Sequence, residues 1–195
     1  MTESDRLRRA IAAIDEANAD DPNVIVARGE TRPKELAHAE LATEWVLALR
    51  PEAAETLRLA ARAHHVRRWE IPRSAHPEGR AGYHRWRKAL QAHHAKIIGA
   101  ILADAGYGED AIVRVKDIVC KRGLGRDEEV QTFEDALCLV FFETQLADLA
   151  GRLDEEKLLD VAQKTLRKMS DAAIARARDL PLAPAHRALL EQALR

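Results

Sequence analysis

The stretch Asp127–Ala150, DEEVQTFEDALCLVFFETQLADLA, decides the fold. Val130, Phe133, Leu137, Leu139, Val140, Phe141, Phe142 and Leu146 put apolar side chains on most sides of a helix. A helix apolar all round is a buried one. Its densest apolar run, around Ala136–Phe142, falls far short of the roughly 20 residues a membrane span needs. A buried helix of this kind is expected within an all-α core.

The flanking segments also read as helices, and no stretch alternates at period two over strand length. The first helix is expected over about Ser4–Asn18, with Ser4 as its cap. Asp20–Thr31 reads as a loop. Pro33 opens a second helix to about Leu49, and Pro51 a third to about Arg68. Trp69–Gly82, with two prolines and two glycines, reads as an ordered loop. Further helices cover about Tyr83–Ala105, Glu109–Cys120, Asp127–Ala150 and Asp154–Arg178, and a short one follows Pro184. The expected architecture is a single all-α domain, residues 1–195, of seven or eight helices. The last helices, after Asp154, fit either a cover over the core or a homodimer contact.

Composition narrows the function classes. The 195 residues carry 31 Lys+Arg against 32 Asp+Glu, a net charge of −1. A sequence-general nucleic-acid binder would carry a basic excess, and an acidic disordered chain the opposite. Nine glycines and seven prolines disfavour a loop-rich all-β fold. Two isolated cysteines, Cys120 and Cys138, make neither a disulfide framework nor a cysteine metal cluster, so a reducing compartment is expected. Met1–Ala19 has no unbroken apolar run. The expected location is cytoplasmic.

The histidines are unevenly spread. Seven of eight lie between His38 and His94: His38, His64, His65, His76, His84, His93 and His94. Imidazole is the commonest metal ligand and the usual acid or base near neutral pH. His38 shares a helix face with Leu41 and Trp45, and His64 with Leu57, Ala60 and Ala61, so both point inward. His65 is turned by about 100° from His64. On the next long helix, Trp86, Leu90, Ile97 and Ile101 form the stripe that His93 and His94 flank. Asp135 shares a face with Leu139, Phe142 and Leu146, where an ionised carboxylate needs a partner. An inward histidine taken singly is more often bonded to a backbone carbonyl. Three helices offering inward His, His and Asp together point to a metal site. His76 and His84 are expected not to ligate, and His186 to lie at the surface.

Charge is uneven as well. Arg58–Lys96 holds ten Lys/Arg against Glu70 and Glu78, a local +8, and the remainder of the chain sums to −9. Trp69, Tyr83 and Trp86 interleave the arginines. Guanidinium forks suit phosphate oxyanions and aromatic rings can stack a base. Arg67, Arg68, Arg73 and Arg80, with Tyr83 and Trp69, are the expected substrate-binding residues. A small anion, most simply a nucleotide, is the expected partner, and the acidic remainder disfavours long nucleic acid.

ELAHAELATEWV with His38, LRLAARAHHVRRW with His64 and His65, and EDALCLVFFE with Asp135 resemble the signature of the HD-domain superfamily of all-α metal-dependent phosphohydrolases. The match spans roughly Lys34–Glu143. It implies an HD-like core over about residues 34–150. The departure is a His-His pair where the superfamily has His-Asp, which makes the site less anionic and suits a softer or redox-active transition metal. A second resemblance runs nearly end to end. HVRRWEIPR, GRAGYHRWRKAL, QTFEDALCLVFFE and KTLRKMS resemble a bacterial and fungal family of unknown function, the domain-of-unknown-function family 4202. That family often carries glutamine at the position of His64 and keeps histidine at that of His65, which shifts weight to His65, His94 and the Glu134–Asp135 pair.

These resemblances imply one or two divalent transition metal ions (Mn, Fe, Co, Ni or Zn) held among His38, His64, His65, His94 and Asp135. Glu70 or Glu134 would then be the general base toward a metal-bound water. Three readings follow: a metal-dependent phosphohydrolase, a di-iron oxygenase on the same scaffold, and a non-catalytic nucleotide- or anion-binding module.

Overall fold

The apolar run forms a helix over Glu128–Thr144 (α6), in a computed structural model that describes residues 3–195. Val130, Phe133, Ala136, Leu139, Val140 and Phe142 are all buried in it. Asp127 caps the helix, accepting from the Glu129 and Val130 amides at 3.0 and 3.2 Å. Arg114 grips the same carboxylate at 2.6 and 3.0 Å and draws its pKa down to about 2.

Before this helix come α1 (Glu3–Ala19), a hairpin of β1 (Val24–Ala27) and β2 (Glu30–Pro33), α2 (Lys34–Leu49), α3 (Glu55–Ala63), α4 (Gly79–Asp104) and α5 (Glu109–Val119). After it come α7 (Leu146–Ala150), α8 (Glu155–Leu166), α9 (Asp171–Arg178) and α10 (Pro184–Ala193). Two 3₁₀ turns, Arg68–Glu70 and Arg73–Ala75, lie between α3 and α4. The fold is predominantly all-α. Among the described residues, no helix is long and apolar enough to cross a membrane.

α6 belongs to two cores. Its N-terminal half, with Val130 and Phe133, packs with Ile14, Leu57, Ile98 and Ile118 from α1, α3, α4 and α5. Its C-terminal half, with Leu139 and Phe142, packs with Leu146, Leu158, Leu166 and Leu190 from α7, α8 and α10. Trp45 of α2 packs against both, and its indole N–H donates to Glu143 at 2.8 Å.

The structure departs from the sequence reading at several joints. The segment read as a loop after α1 contains the hairpin, paired from Val24↔Pro33 to Ala27↔Glu30. Its two-residue turn puts Arg28 at φ 50° and Gly29 at φ 87°, the left-handed pair that hairpin twist favours. α1 begins at Glu3, one residue before the expected cap, and the Ser4 side chain lies outside the described residues. α3 starts at Glu55 and ends at Ala63, shorter than expected, and α4 starts earlier, at Gly79. The expected helix Asp127–Ala150 breaks at Gln145. The expected helix Asp154–Arg178 breaks before Ser170, which caps α9 by accepting from the Ala173 amide.

That second break explains Asp135. Its Oδ1 accepts from the Ser170 amide at 2.8 Å and from Gln131 at 3.0 Å, and its Oδ2 from the Ser170 hydroxyl at 2.6 Å. The α8–α9 joint satisfies the buried carboxylate, and Asp135, expected as a metal ligand, lies outside the Glu35–His38–His65 group. Replacing Asp135 by alanine strands buried donors and should cost about 3 kcal/mol. Urea unfolding of Asp135→Ala beside Asp135→Asn checks this, the asparagine retaining an acceptor for the Ser170 amide and losing less.

Candidate functional site

The turn after α3 builds the site. Arg67 takes a left-handed conformation, φ 51°, and reverses the chain. Its amide donates to Asn18 of α1 at 3.1 Å, and its carbonyl accepts from His93 Nε2 of α4 at 3.1 Å. The Val66 carbonyl accepts from His94 Nδ1 at 2.9 Å. Clamped from both sides, the turn stacks His64 on His65, ring centroids 4.1 Å apart, with His94 5.9 Å from His65. The loop that follows is packed tightly on α4: a Cβ at Gly82 would stand 1.7 Å from the Pro77 carbonyl oxygen.

Beneath the turn lies a buried cluster of Glu35 and His38 on α2 with His65. One ligand atom from each lies within 4.8 Å of the others. Asp21 accepts the Glu35 amide at 2.9 Å and fixes the first turn of α2. Glu35 Oε2 is 3.1 Å from His65 Nδ1 and 3.6 Å from His38 Nδ1. Burial alone would raise the Glu35 carboxyl, but the two histidines outweigh it and hold it well below the ordinary range. Burial lowers His65 to about 4, against the opposing pull of Glu35.

The hydrogen-bond network fixes the tautomers. The Thr144 hydroxyl donates to the Val140 carbonyl at 2.7 Å, so its oxygen accepts from His38 Nε2 at 3.2 Å. His38 Nδ1 is left facing the Glu35 carboxylate at 3.6 Å, longer than a hydrogen bond. A carboxylate and an imidazole nitrogen converging in this way are a donor set that a metal ion can use. Arg68 donates to His65 Nε2 at 3.2 Å and lies 3.9 Å from Glu35, so in the metal-free site His65 Nδ1–H donates to Glu35, a proton that a metal ion at Nδ1 would displace. His64 donates from Nδ1 to the Ala61 carbonyl at 3.1 Å. His94 is likewise tied to a carbonyl, and its Nε2 is buried with no hydrogen-bond partner among the described residues. These last two bonds are of the backbone kind expected of inward histidines, and each leaves Nε2 without its proton.

A cavity opens above the cluster, lined by His64, His65, His94, Arg68, Arg87, Lys121, Lys168 and Glu134. Lys121, at φ 57° beyond the end of α5, forms a close ion pair with Glu134. Lys168 stands 3.6 Å from the same carboxylate. Burial would raise Glu134, but the lysines outweigh it and lower its pKa. A carboxylate held ionised by two ammonium groups is a weak proton acceptor, and its geometry suits a clamp on the lysines. Cys138 also lines the cavity. Burial and then Glu134 push its thiol up to about 12, which keeps it protonated and poorly nucleophilic.

Of the residues expected from sequence, the structure gathers His38, His64, His65, His94, Glu134 and Arg68 around this centre. Glu70, expected as a general base, is exposed, paired with Arg67 and His93 at 3.6 and 3.3 Å, and does not line the cavity. Arg67 lines a separate groove between α1 and α4. Arg73 donates to the His76 carbonyl within its own loop at 2.9 Å. Arg80 and Tyr83 are exposed on α4, and Trp69 is half-buried in the 3₁₀ turn; none of the three lines the cavity. The sequence reading missed Glu35, Arg87, Lys121 and Lys168. Glu35 was signalled by its i, i+3 spacing from His38, and Lys168 by its place in KTLRKMS. Lys121 carried no local signal.

An all-α chain with a buried carboxylate–histidine cluster under a cationic cavity is the class that fold and site define. A family model described as "Domain of unknown function (DUF4202)" matches residues 8–190. The chain belongs to this family. No curated protein and no solved structure matches it.

The buried histidines set a pH dependence. Unfolded imidazoles titrate near 6.5, whereas His65 protonates at about 4 and His94, lowered first by burial, at about 3. The unfolded chain therefore binds more protons below pH 6.5, and stability falls as pH drops. The loss should reach roughly 2 kcal/mol per histidine by pH 5. Glu35, with its pKa depressed, stabilises above the ordinary carboxylate range and adds to the loss only below it. Urea midpoints of metal-free protein at pH 7 and pH 5 check this; equal midpoints would contradict it.

Proposed function

We propose that this protein is a metal-dependent phosphohydrolase acting on a nucleotide or another small phosphorylated molecule, with a divalent transition metal ion at Glu35, His38 and His65. The supporting observation is the convergence of one ligand atom each from Glu35, His38 and His65 within 4.8 Å of one another, with His65 also lining a cavity walled by Arg68, Arg87, Lys121 and Lys168. One carboxylate with imidazoles is a donor set suited to Mn, Fe, Co, Ni or Zn. The resemblance of ELAHAELATEWV and LRLAARAHHVRRW to HD-domain phosphohydrolases supports the same reading. Asp135, in the last element of that signature, accepts hydrogen bonds from Ser170 and is not part of the Glu35–His38–His65 group.

Glu35, His38 and His65 would hold the divalent ion, which when bound would lower the pKa of a water and polarise a phosphoryl oxygen. The protein does the remaining work. Arg68 and Arg87 take phosphate oxygens and neutralise charge that develops there. Lys121 and Lys168, held by Glu134, present ammonium groups from the opposite wall. His94 Nε2, unable to protonate near neutral pH, accepts a hydrogen bond from a substrate hydroxyl or from water. Thr144 orients His38.

One observation favours a second reading, a non-catalytic anion-binding module. Arg68 already donates to His65 Nε2 and stands beside Glu35, so its guanidinium can supply the cation the cluster needs. Protein purified without chelator separates the two. The first reading expects about one transition metal per chain and phosphate release from a nucleotide panel, with both lost in Glu35→Gln and His38→Ala. Thr144→Val, which removes only the orienting hydroxyl, should weaken metal affinity about 10- to 100-fold. Absence of metal and of any chelator effect, with nucleotide binding that Arg68→Ala abolishes, would establish the second reading.

A further inference from the structure

An exposed stripe of α4 leads away from the cavity. Arg87, Gln91 and His94 line the cavity, and their spacing extends backward through His84 and Arg80 on one stripe of the helix. Tyr83 lies beside Arg87, whose guanidinium donates to its hydroxyl at 3.4 Å. Among the described residues, neither Arg80 nor Arg87 has a carboxylate partner. Tyr83 is 43% exposed between these two arginines. From Arg80 to His94 the helix rises about 21 Å.

We propose that this stripe is a binding track for a short single-stranded oligonucleotide, one phosphate of which enters the cavity; the inference rests on the phosphate-binding reading of that cavity. Unpaired guanidiniums along one line match a chain of phosphates, and a single mononucleotide cannot reach from His94 to Arg80. The exposed ring between them offers a stacking face that a bare polyphosphate would not use. The track length corresponds to about six stacked nucleotides at 3.4 Å each, fewer for an extended strand. Beyond the basic block the chain sums to −9, so a longer strand meets a repulsive surface and gains nothing.

The test measures binding of 5′-phosphorylated, 3′-labelled single-stranded RNAs of 2, 4, 6 and 12 nucleotides to the full chain, with uridine monophosphate and inorganic polyphosphate as competitors. Affinity should climb with length to about six nucleotides and then level off. Arg80→Glu should flatten the salt dependence by about 0.7 in log–log slope for each phosphate contact removed. Tyr83→Ala should weaken the hexanucleotide about tenfold more than the mononucleotide. Both residues are exposed, so the variants should fold, and a thermal melt checks that they do. Length-independent binding, with uridine monophosphate still held, would overturn the track and leave the cavity reading standing. Strands held through Arg80 and Tyr83 with no mononucleotide binding would support the track and overturn the cavity reading. Polyphosphate competing as well as RNA, with Tyr83→Ala silent, would overturn the oligonucleotide in favour of polyphosphate.

Discussion

The hydrogen bond from His94 Nδ1 to the Val66 carbonyl holds the candidate site together. It joins α4 to the turn that ends α3, across 28 residues of chain. The neighbouring bond from His93 to the Arg67 carbonyl doubles the clamp, and Asn18 of α1 closes it from the other side. Without these bonds the reversal at Arg67, in a backbone region that non-glycine residues rarely occupy, would lack compensation. With them, His64 and His65 are pressed against each other and over Glu35. The same bond determines the chemistry of His94. By committing Nδ1–H to a carbonyl it leaves Nε2 bare and buried beside the cavity, so one interaction serves both fold and site.

The electrostatics follow a similar economy. A net charge of −1 describes no local environment in this molecule. Around the cavity, four cations face one carboxylate, and that carboxylate is engaged by two of them. In the cluster below, one carboxylate faces His65, which burial keeps neutral near pH 7, and His38, which Thr144 orients. The two layers carry opposite local charge and share His65 and Arg68 as their boundary. A cation in the lower layer and an anion in the upper would each relieve an imbalance that the chain itself leaves open.

Much of the fold was legible because burial leaves a periodic trace. Asp127–Ala150 announced a central helix, and α6 is one. The breaks at Gln145 and Ser170 were not legible from apolar spacing. The second depends on a cap whose partner, Asp135, lies 35 residues away. The hairpin escaped because its four-residue strands are too short for alternation to register, although Val24–Val26 are β-branched and Arg28-Gly29 fits a tight turn. Helix faces correctly turned His38, His64 and Asp135 inward. They could not say which inward residues would meet. Asp135 and His38 point to the same interior, yet one finds Ser170 and the other Glu35.

That distinction bears on how the histidine-rich window should be understood. Periodicity specifies direction, while a binding centre requires convergence, and convergence here comes from irregular backbone: the Arg67 reversal, the left-handed Lys121 beyond α5, and the joint before Ser170 that carries Lys168. Each lies at a helix end, where the chain is free to aim a side chain across a helix axis. Glu35 obeys the same logic from the other direction, since it occupies the first turn of α2 and is fixed there by Asp21. The regular helices supply a rigid frame, and the residues that meet across the cavity are largely those that the frame releases at its ends. Substitutions at these few terminal positions can therefore alter the chemistry of the site without disturbing the buried helix α6.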